Sequence, residues 1–357
     1  MKLYRLETVS WQDSQLLYHA QPRLDREGLN LLAPATPYVC VGYFQDVEQE
    51  VDVAYCREHG IPIFRREVGG GAVFLDGEQL FYQLIIHRDN PLVPVSKEAF
   101  YRQFLQAPIA AYRALGIPAE HKPVNDIIAN GRKISGNGVG EIGDYVVFVG
   151  NLIVDFDYET MARVLNVPDE KFRDKVYKTL RENLSTLRRE LGSVPSREQL
   201  WDLLAESFKR VLGPMGVEET IDAAWRAKAN ELGSRFLTDG WLYRRTEKRS
   251  HLDRAVKIRS GVEVKQKVHK APGGLIRASA EVRDGIVANV SFSGDFFFYP
   301  AEKLTQLEAK LANVPIEEVE QTIANFYERH NIQSPGVRPT DFAQAAVQLT
   351  GQGKRVQ

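Results

Sequence analysis

The sequence RREVGGGAVF, at residues 65–74, joins two segments that both have the composition of β-strands. Two arginines end the first segment, three glycines follow, and the second segment begins at Ala72. Because glycine has no Cβ atom, the backbone can turn sharply there and a ligand can approach its N–H groups. Paired arginines offer forked donors to phosphate or carboxylate. A plain turn with solvated arginines is the alternative, but the combination favours an anion-binding loop between two strands.

A second stretch of similar character, NDIIANGRKISGNG, occupies residues 125–138. Its Asn130-Gly131 pair is typical of a type I′ turn and predicts a β-hairpin that carries Lys133. A lysine beside a glycine-rich loop is a compact cation for phosphate, and the Asp126 carboxylate is a ligand type that hard divalent cations prefer. Taken alone, Lys133 would more readily be interpreted as a solvated turn residue.

The rest of the chain predicts two domains and a junction. The first half mixes strands, predicted at 38–43, 61–66, 72–75, 80–87 and 145–156, with helices at 53–59 and 97–115. Further helices are predicted at 197–212 and 217–231, an irregular charged stretch at 233–259, strands at 255–268, 275–283 and 286–292, and helices at 301–312, 315–329 and 340–349. The predicted domains are a catalytic domain at 1–232, a junction at 233–254, an accessory domain at 255–350 and a disordered tail at 351–357.

Composition excludes several classes of protein. The 357 residues carry a formal net charge of -1, so no global field favours nucleic acid or an anionic membrane. Two cysteines, Cys40 and Cys56, argue against a disulfide framework and suit a reducing compartment. The longest apolar run, residues 145–154, is far shorter than the roughly 20 residues that span a bilayer. We therefore expect a cytoplasmic protein with neither nucleic acid nor membrane as a partner.

One motif match is dismissed, and two classes of site are not expected. Residues 138–143, GVGEIG, fit the dinucleotide pattern G-x-G-x-x-G, but that motif needs a strand before it and a helix after it. A strand-like segment follows instead, so the match is interpreted as accidental. The chain has no P-loop pattern and no C-x-x-C or H-E-x-x-H pattern, so a P-loop nucleotide site and a zinc site are not expected.

Residues 65–76, with the pattern RRxxGGGAVFxD, resemble a signature of the lipoate–protein ligases. Residues 125–126 and 131–136 are similar to that family's second signature and follow in the expected order. The resemblance covers roughly residues 1–231, and the chain from 235 onward is similar to the small accessory domain of many full-length ligases. It implies an α+β fold shared with biotin–protein ligases: a large catalytic domain with a mixed sheet flanked by helices, plus a small C-terminal α+β domain.

The resemblance also implies a reaction in two steps. Lipoate, or octanoate, and ATP give the acyl-adenylate and pyrophosphate, and a lysine of an acceptor lipoyl domain then attacks the mixed anhydride. Lys133 would contact the activated carbonyl and the α-phosphate, and Asp126 would bind Mg²⁺. The residues implied to bind ATP, the adenylate or the acyl chain are Arg65, Arg66, Gly69, Gly70, Gly71, Ala72, Val73, Phe74, Asn125, Gly136 and Asn137.

The sequence departs from the family pattern at three places. Leu75 stands where a histidine is usual, and residues 77–79, GEQ, replace the usual Gly-Asn pair. Residues 148–151, FVGN, occupy the place of a histidine pair before Gly-Thr. These changes bear on the acyl chain and on acceptor contacts. Six basic residues could steer an acidic acceptor domain, although a solvated helix face is an equal explanation. They are Arg173, Lys175, Lys178, Arg181, Arg188 and Arg189.

Two other functions stay open. The nearest is an octanoyl- or lipoyl-transferase of the same fold, several of which pass the acyl group through a cysteine thioester. No cysteine follows Cys56, so a nucleophile in the lysine loop or later is excluded. The accessory domain also favours the ligase. The other alternative, a lipoyl-binding module without catalysis, is disfavoured by the presence of Lys133.

Overall fold

The computed structural model describes residues 1–218, 220–249, 263–283 and 285–347. The chain forms two compact units. The first consists of residues 1–41, 50–68 and 72–241, and the second of residues 42–49, 69–71 and those from 242 onward. Two short segments from the early part of the chain therefore belong to the second unit. The domain boundaries given above from the sequence stay predictions.

The first unit is built on a six-stranded mixed sheet and two three-stranded sheets. In chain order, its described strands are β1 (Lys2–Val9), β2 (Gly28–Pro34), β3 (Tyr38–Val41), β4 (Ile63–Arg65), β5 (Val73–Leu75), β6 (Gln79–His87), β7 (Glu120–Lys122), β8 (Asp126–Ala129), β9 (Arg132–Ser135), β10 (Asn137–Ile142), β11 (Tyr145–Ile153) and β12 (Gly216–Glu218). The large sheet has the order β10-β11-β6-β2-β1-β12, and the small ones β4-β3-β5 and β7-β8-β9. Only β1 with its two neighbours is parallel within the large sheet.

Helices lie between these strands. From the start of the chain to residue 242 they are α1 (Trp11–Ala20), α2 (Val47–Glu50), α3 (Val53–Glu58), α4 (Lys97–Phe104), α5 (Gln106–Ala114), α6 (Tyr158–Val164), α7 (Glu170–Asn183), α8 (Leu187–Leu191), α9 (Arg197–Leu212), α10 (Ala223–Phe236) and α11 (Asp239–Leu242). The predicted helix 197–212 is confirmed, and it begins with a capping box between Ser196 and Gln199. No helix among the described residues is long and apolar enough to cross a membrane.

The core of the first unit lies against β6 and β11. Alternate residues of a strand point to opposite faces of a sheet, and Leu80, Tyr82 and Leu84 share one face of β6. They belong to the same buried cluster as Phe104 of α4 and Phe148 of β11. Because β6 is buried from residue 79 to residue 86, it is a rigid platform on which polar side chains can be held.

Three predicted elements were wrong in part. The single helix expected at 97–115 is interrupted at Leu105, because Pro108 has no N–H to donate to the carbonyl at 104 and its ring crowds that carbonyl. The helix expected at 217–231 begins only at Ala223, since residues 216–218 pair with β1 and the Asp222 side chain caps the helix. The stretch 233–259 is not irregular where it is described. It contains the end of α10, α11 and helical residues 244–249.

From residue 263 onward, the described part of the second unit contains a four-stranded antiparallel sheet and three helices. The strands are β13 (Glu263–Ala271), β14 (Gly274–Arg283), β15 (Ile286–Gly294) and β16 (Val314–Pro315), in that order. The helices are α12 (Lys303–Lys310), α13 (Val319–His330) and α14 (Pro339–Val347). The α+β fold class predicted from the sequence is confirmed. Of the predictions, residues 255–262 and the tail 351–357 lie outside the described residues.

Residues 42–49 form part of the second unit's core. The Phe44 ring is stacked on Phe296 with centroids 5.1 Å apart, and the Phe44 carbonyl accepts the Gly294 N–H at 3.1 Å. Asp46 is buried and accepts a hydrogen bond from Arg249 Nε at 2.7 Å. An aromatic anchor and a buried ion pair thus bind this short segment to residues that follow it by about two hundred positions.

Candidate active site

Lys133 lies on the second strand of the β8–β9 hairpin. The turn residues Asn130 and Gly131 have φ values of 49° and 78°, as a type I′ turn requires, so the predicted hairpin is confirmed. Lys133 Nζ is 2.6 Å from Asp126 Oδ1, and the two side chains are 39% and 32% exposed. The Lys133 carbonyl accepts the Ser185 N–H at 2.7 Å. Both ends of the residue are therefore held, unlike a solvated turn lysine, while the ammonium group still reaches solvent.

Asp126 offers limited means to hold a divalent cation. Its Oδ1 is paired with Lys133, and no group of three potential metal ligands from His, Cys, Asp and Glu occurs within the part of the chain that the structure describes. Mg²⁺ is commonly bound by one or two carboxylates, with water and substrate phosphates completing the shell. The donor set therefore fits a cation that arrives with a triphosphate, and it does not form an all-protein metal site.

The loop after Lys133 is fixed by a buried polar network. Asn137 and Asn125 are joined twice: Asn137 Nδ2 donates to the Asn125 carbonyl at 3.1 Å, and Asn125 Nδ2 donates to the Asn137 carbonyl. The Tyr82 hydroxyl donates to Asn137 Oδ1, and burial raises the pKa of Tyr82, which keeps this donor protonated. Ser135 Oγ donates to the Asn151 carbonyl at 2.6 Å. The predicted site residues Asn125 and Asn137 thus shape the loop that follows the lysine.

The two arginines at the end of β4 have different surroundings. Arg65 is fully buried, and its carbonyl accepts the Trp241 indole N–H at 2.9 Å. Arg66 is partly exposed, and its Nη1 donates to the Cys40 carbonyl at 3.1 Å and lies 3.6 Å from Cys40 Sγ. Arg66 therefore has the better access to an anionic ligand, whereas Arg65 supports the end of the strand from inside.

Neither cysteine is set up as a nucleophile. Cys40 and Cys56 are both buried. Burial raises the pKa of the Cys40 thiol despite the neighbouring Arg66, and burial together with Asp52 raises the pKa of Cys56 to about 11. Since the thiolate is the reactive form, both groups are poor nucleophiles near neutral pH.

The glycine triplet belongs to the second unit, where it lies against the end of β15. Gly70 has a φ of 89° and donates its N–H to the Phe296 carbonyl at 3.1 Å. A Cβ atom on Gly69 would lie 2.7 Å from the same oxygen. The absence of side chains thus has a structural reason here, besides the ligand access inferred from the sequence. In the first unit, Phe74 is buried and Val73 is 37% exposed.

A buried histidine that sequence reasoning missed fixes the loop after Arg66. His19 Nε2 accepts the Glu67 N–H at 3.1 Å, and Nδ1 donates to the Gln15 carbonyl at 2.7 Å. Burial lowers the pKa of His19 to about 3, so the ring is neutral and one nitrogen remains an acceptor. Glu67 also pairs with Arg23 at 2.9 Å. The only signal in the sequence was a polar residue on the buried face of a helix.

The buried His19 predicts a loss of stability in mild acid. Its pKa is 6.5 when unfolded and about 3 when folded, so between these values the unfolded state binds more protons. The contribution of neutral His19 to the free energy of unfolding is complete above pH 6.5. It falls by up to about 1.4 kcal/mol per pH unit as the pH drops below that value. We expect His19→Gln, which keeps an acceptor for Glu67, to flatten the pH dependence of urea unfolding between pH 7.5 and 4.5. The exposed His59→Gln variant should keep the wild-type slope, and an unchanged slope in His19→Gln would refute the assignment.

Comparison with family models identifies both parts of the chain. Residues 8–209 match the lipoyl protein ligase A/B catalytic domain, and residues 264–345 match the bacterial lipoate protein ligase C-terminus. The first match covers more than half of the chain and contains Lys133, Asp126 and the two arginines.

Similar proteins include both ligases and transferases. Lipoate-protein ligase A subunit 1 of Thermoplasma acidophilum is 30% identical, over 57% of this chain and 79% of its own length. Lipoate–protein ligase 1 of Staphylococcus aureus is 25% identical, over 81% of this chain and 82% of its own. Octanoyltransferase LipM of Kyrpidia tusciae is 26% identical, over 58% of this chain and 84% of its own.

Solved structures of lipoate protein ligases align with about two thirds of the chain. The bi-partite lipoate protein ligase of Thermoplasma acidophilum, described together with its E2 lipoyl domain, aligns with a TM-score of 0.60 and 26% identity, over 68% of this chain and 95% of its own. A lipoate-protein ligase A bound with ATP aligns with a TM-score of 0.56 and 26% identity, over 68% of this chain and 98% of its own.

Proposed function

Since the chain belongs to the family of lipoyl protein ligase A/B catalytic domains, we propose that it is an ATP-dependent lipoate–protein ligase. In the first step, the lipoate or octanoate carboxylate attacks the α-phosphorus of ATP, so that an acyl-adenylate forms and pyrophosphate leaves. In the second step, a lysine amine of an acceptor domain attacks the acyl carbonyl, which forms an amide and releases AMP. The observation that carries the proposal is Lys133, held at a partly exposed position by Asp126 at 2.6 Å.

The Lys133 ammonium would reduce the charge repulsion that opposes adenylation. A carboxylate and a triphosphate repel each other, and a fixed positive charge aimed at the reacting oxygens lowers that barrier. Asp126, on the neighbouring strand of the hairpin, holds the side chain of Lys133, and the Ser185 N–H holds its carbonyl. When bound with ATP, Mg²⁺ would neutralise the triphosphate, with Asp126 as its protein ligand. We assign Arg66 to the phosphate, and Val73 and Phe74 to the border of the acyl chain.

Two observations favour the ligase over the transferase. Both cysteines are buried and have raised pKa values, which disfavours a thioester intermediate on this chain. The match of residues 264–345 to the ligase C-terminus adds a domain that a minimal acyl transferase does not need. Acyl transfer from a carrier protein is the second candidate, because octanoyltransferases occur among the relatives at 26% identity.

The acceptor we propose is a lipoyl domain, the partner with which the Thermoplasma acidophilum ligase was described. Four of the six basic residues expected to steer it make contacts within the chain. Arg173 donates to the backbone carbonyl of Ala162 at 2.9 Å, and Arg181 donates to the Tyr177 hydroxyl at 3.2 Å. Arg188 pairs with Asp155 at 2.7 Å, and Arg189 donates to the Leu184 carbonyl at 3.1 Å. The exposed residues Lys175 and Lys178 on α7 are the better candidates for steering.

The first test is ATP–pyrophosphate exchange with Mg²⁺, with lipoate, octanoate or biotin as the acid. The proposal predicts exchange with lipoate or octanoate and none with biotin, and the relative rates rank the acids. Absence of exchange with every acid, in protein shown to be folded, would contradict the ligase. Transfer from an octanoyl carrier protein to a lipoyl domain would then be measured to establish the second candidate.

A further inference from the structure

A chain of three hydrogen bonds joins the two motifs in the first unit. Gln79 Nε2 donates to the Phe74 carbonyl at 3.0 Å, and Gln79 Oε1 accepts from Asn151 Nδ2 at 2.8 Å. Asn151 Oδ1 accepts the N–H of Gly136 at 2.9 Å. Phe74 ends the first motif, and Gly136 follows the lysine loop of the second. Two amide side chains therefore connect the proposed acyl wall to the proposed catalytic loop.

The direction of this chain is set by its ends. A backbone carbonyl such as that of Phe74 can only accept, and a backbone N–H such as that of Gly136 can only donate. Each amide must therefore donate on one side and accept on the other, which fixes the orientation of both Gln79 and Asn151. Gln79 and Asn151 are only 1% and 8% exposed, so leaving either amide without a hydrogen-bond partner would lower the stability of the fold.

The second amide also holds the loop through its backbone. The Asn151 carbonyl accepts Ser135 Oγ at 2.6 Å, so Asn151 contacts two successive residues after Lys133. A Cβ atom on Gly136 would lie 3.9 Å from Lys133 Cε, which shows how near this peptide is to the lysine side chain. Asn151 also lies in the FVGN segment, where the sequence departs from the family pattern.

We propose that Gln79 and Asn151 are positioning residues that fix the Lys133 loop relative to the strand bearing Phe74. The inference rests on the proposed function, in which Phe74 borders the acid and Lys133 acts on its carboxylate. The distance between Phe74 and Lys133 then determines whether the carboxylate approaches the α-phosphorus in line. Both amides are buried and hydrogen-bonded within the chain, so removing one should lower kcat and leave the binding of each substrate largely intact.

The test compares three variants in ATP–pyrophosphate exchange. Gln79→Leu and Asn151→Asp should each lower kcat about 10- to 100-fold, as expected for a displacement of about 1 Å, with the KM values for ATP and acid changed less than threefold. Asn151→Asp is informative because it still accepts from Gly136 but cannot donate to Gln79. If only a polar group at 151 mattered, this variant would keep wild-type activity.

Gln83→Leu is the matched control. Gln83 lies on the same strand, is 2% exposed and donates to the Ser14 carbonyl at 2.7 Å, but it belongs to a separate amide network with Asn30. Its loss should cost similar stability. If Gln83→Leu and Gln79→Leu lower kcat equally, the effect is a general loss of stability and the proposal fails.

Hydrogen exchange separates failure of the proposal from failure of the proposed function. In Gln79→Leu, the Gly136 amide should exchange at least about tenfold faster although Gln79 does not touch it, because Asn151 has lost its anchor. Gln83→Leu should leave Gly136 unchanged. Unchanged protection of Gly136 in Gln79→Leu would overturn the proposal. This measurement decides it even if the wild-type protein shows no exchange with any acid, a result that would refute the ligase alone.

Discussion

Lys133→Met is expected to lower the rate of lipoate-dependent ATP–pyrophosphate exchange by about 1,000-fold, the size of effect seen when a fixed catalytic donor is removed. Methionine keeps much of the stem but has no charge, so the acid and the triphosphate meet without their screening cation. Asp126, deprived of its partner at 2.6 Å, adds a repulsive carboxylate beside the incoming phosphates. The site then keeps the Asp126 carboxylate, the proposed ligand of Mg²⁺, but loses the fixed cation that acts on the acid and the α-phosphate.

The same substitution should barely change the stability of the fold. A partly exposed ion pair contributes less than about 1 kcal/mol, so the urea midpoint of Lys133→Met should stay close to that of the wild type. Lys2→Met is the control, since Lys2 pairs with Glu218 at 2.8 Å on the surface and far along the sheet from β11. It should retain full activity. Lys133→Met with more than a tenth of wild-type exchange would remove Lys133 from the chemistry.

Gly42→Ala is expected to damage both stability and activity. A Cβ atom at residue 42 would lie 1.9 Å from the Gly70 carbonyl oxygen, so the backbone must move by more than an ångström. Overpacking of this kind costs typically about 1–3 kcal/mol. Because Gly70 is part of the motif assigned to the acyl chain, we also expect kcat/KM for lipoate to fall about tenfold or more, as misplacement by an ångström can cost two orders of magnitude.

Gly240→Ala is the matched control for this substitution. No atom lies within 4 Å of the Cβ position at Gly240, and its backbone is not left-handed. This variant should unfold at the wild-type urea concentration or slightly above it, with unchanged kinetics. If Gly42→Ala behaves like Gly240→Ala in urea unfolding and in lipoate-dependent exchange, the close approach of residues 42 and 70 matters for neither stability nor activity.

The parts of the site that were predictable from the sequence are those encoded by neighbouring residues. The turn at Asn130-Gly131 is a local property, and it placed Lys133 and Asp126 on paired strands as expected. The helix break that Pro108 causes at Leu105 was equally local. It was missed because the apolar periodicity continues across the proline. Here a steric property of one residue outweighed a pattern that extends over nineteen.

What could not be predicted depends on pairs of residues far apart in the chain. Gln79 and Asn151 are separated by 72 positions, and each is only a polar residue within a strand until the partner is known. A buried amide signals that a partner exists, because an unsatisfied one is costly, but it does not name the partner. The same holds for His19 and Glu67, which are 48 positions apart.

The place of residues 42–49 and 69–71 in the second unit has a consequence for protein engineering. Truncation after Trp241 would expose Phe44, now 1% exposed, because the residues that cover its ring would be missing. A fragment that starts at Leu242 would lack residues 42–49 and 69–71, which belong to the same unit. The C-terminal part of the chain is thus not a complete unit by itself. A chimera that exchanges it with a homologue must also transplant both early segments, and with them the glycines next to the arginine pair.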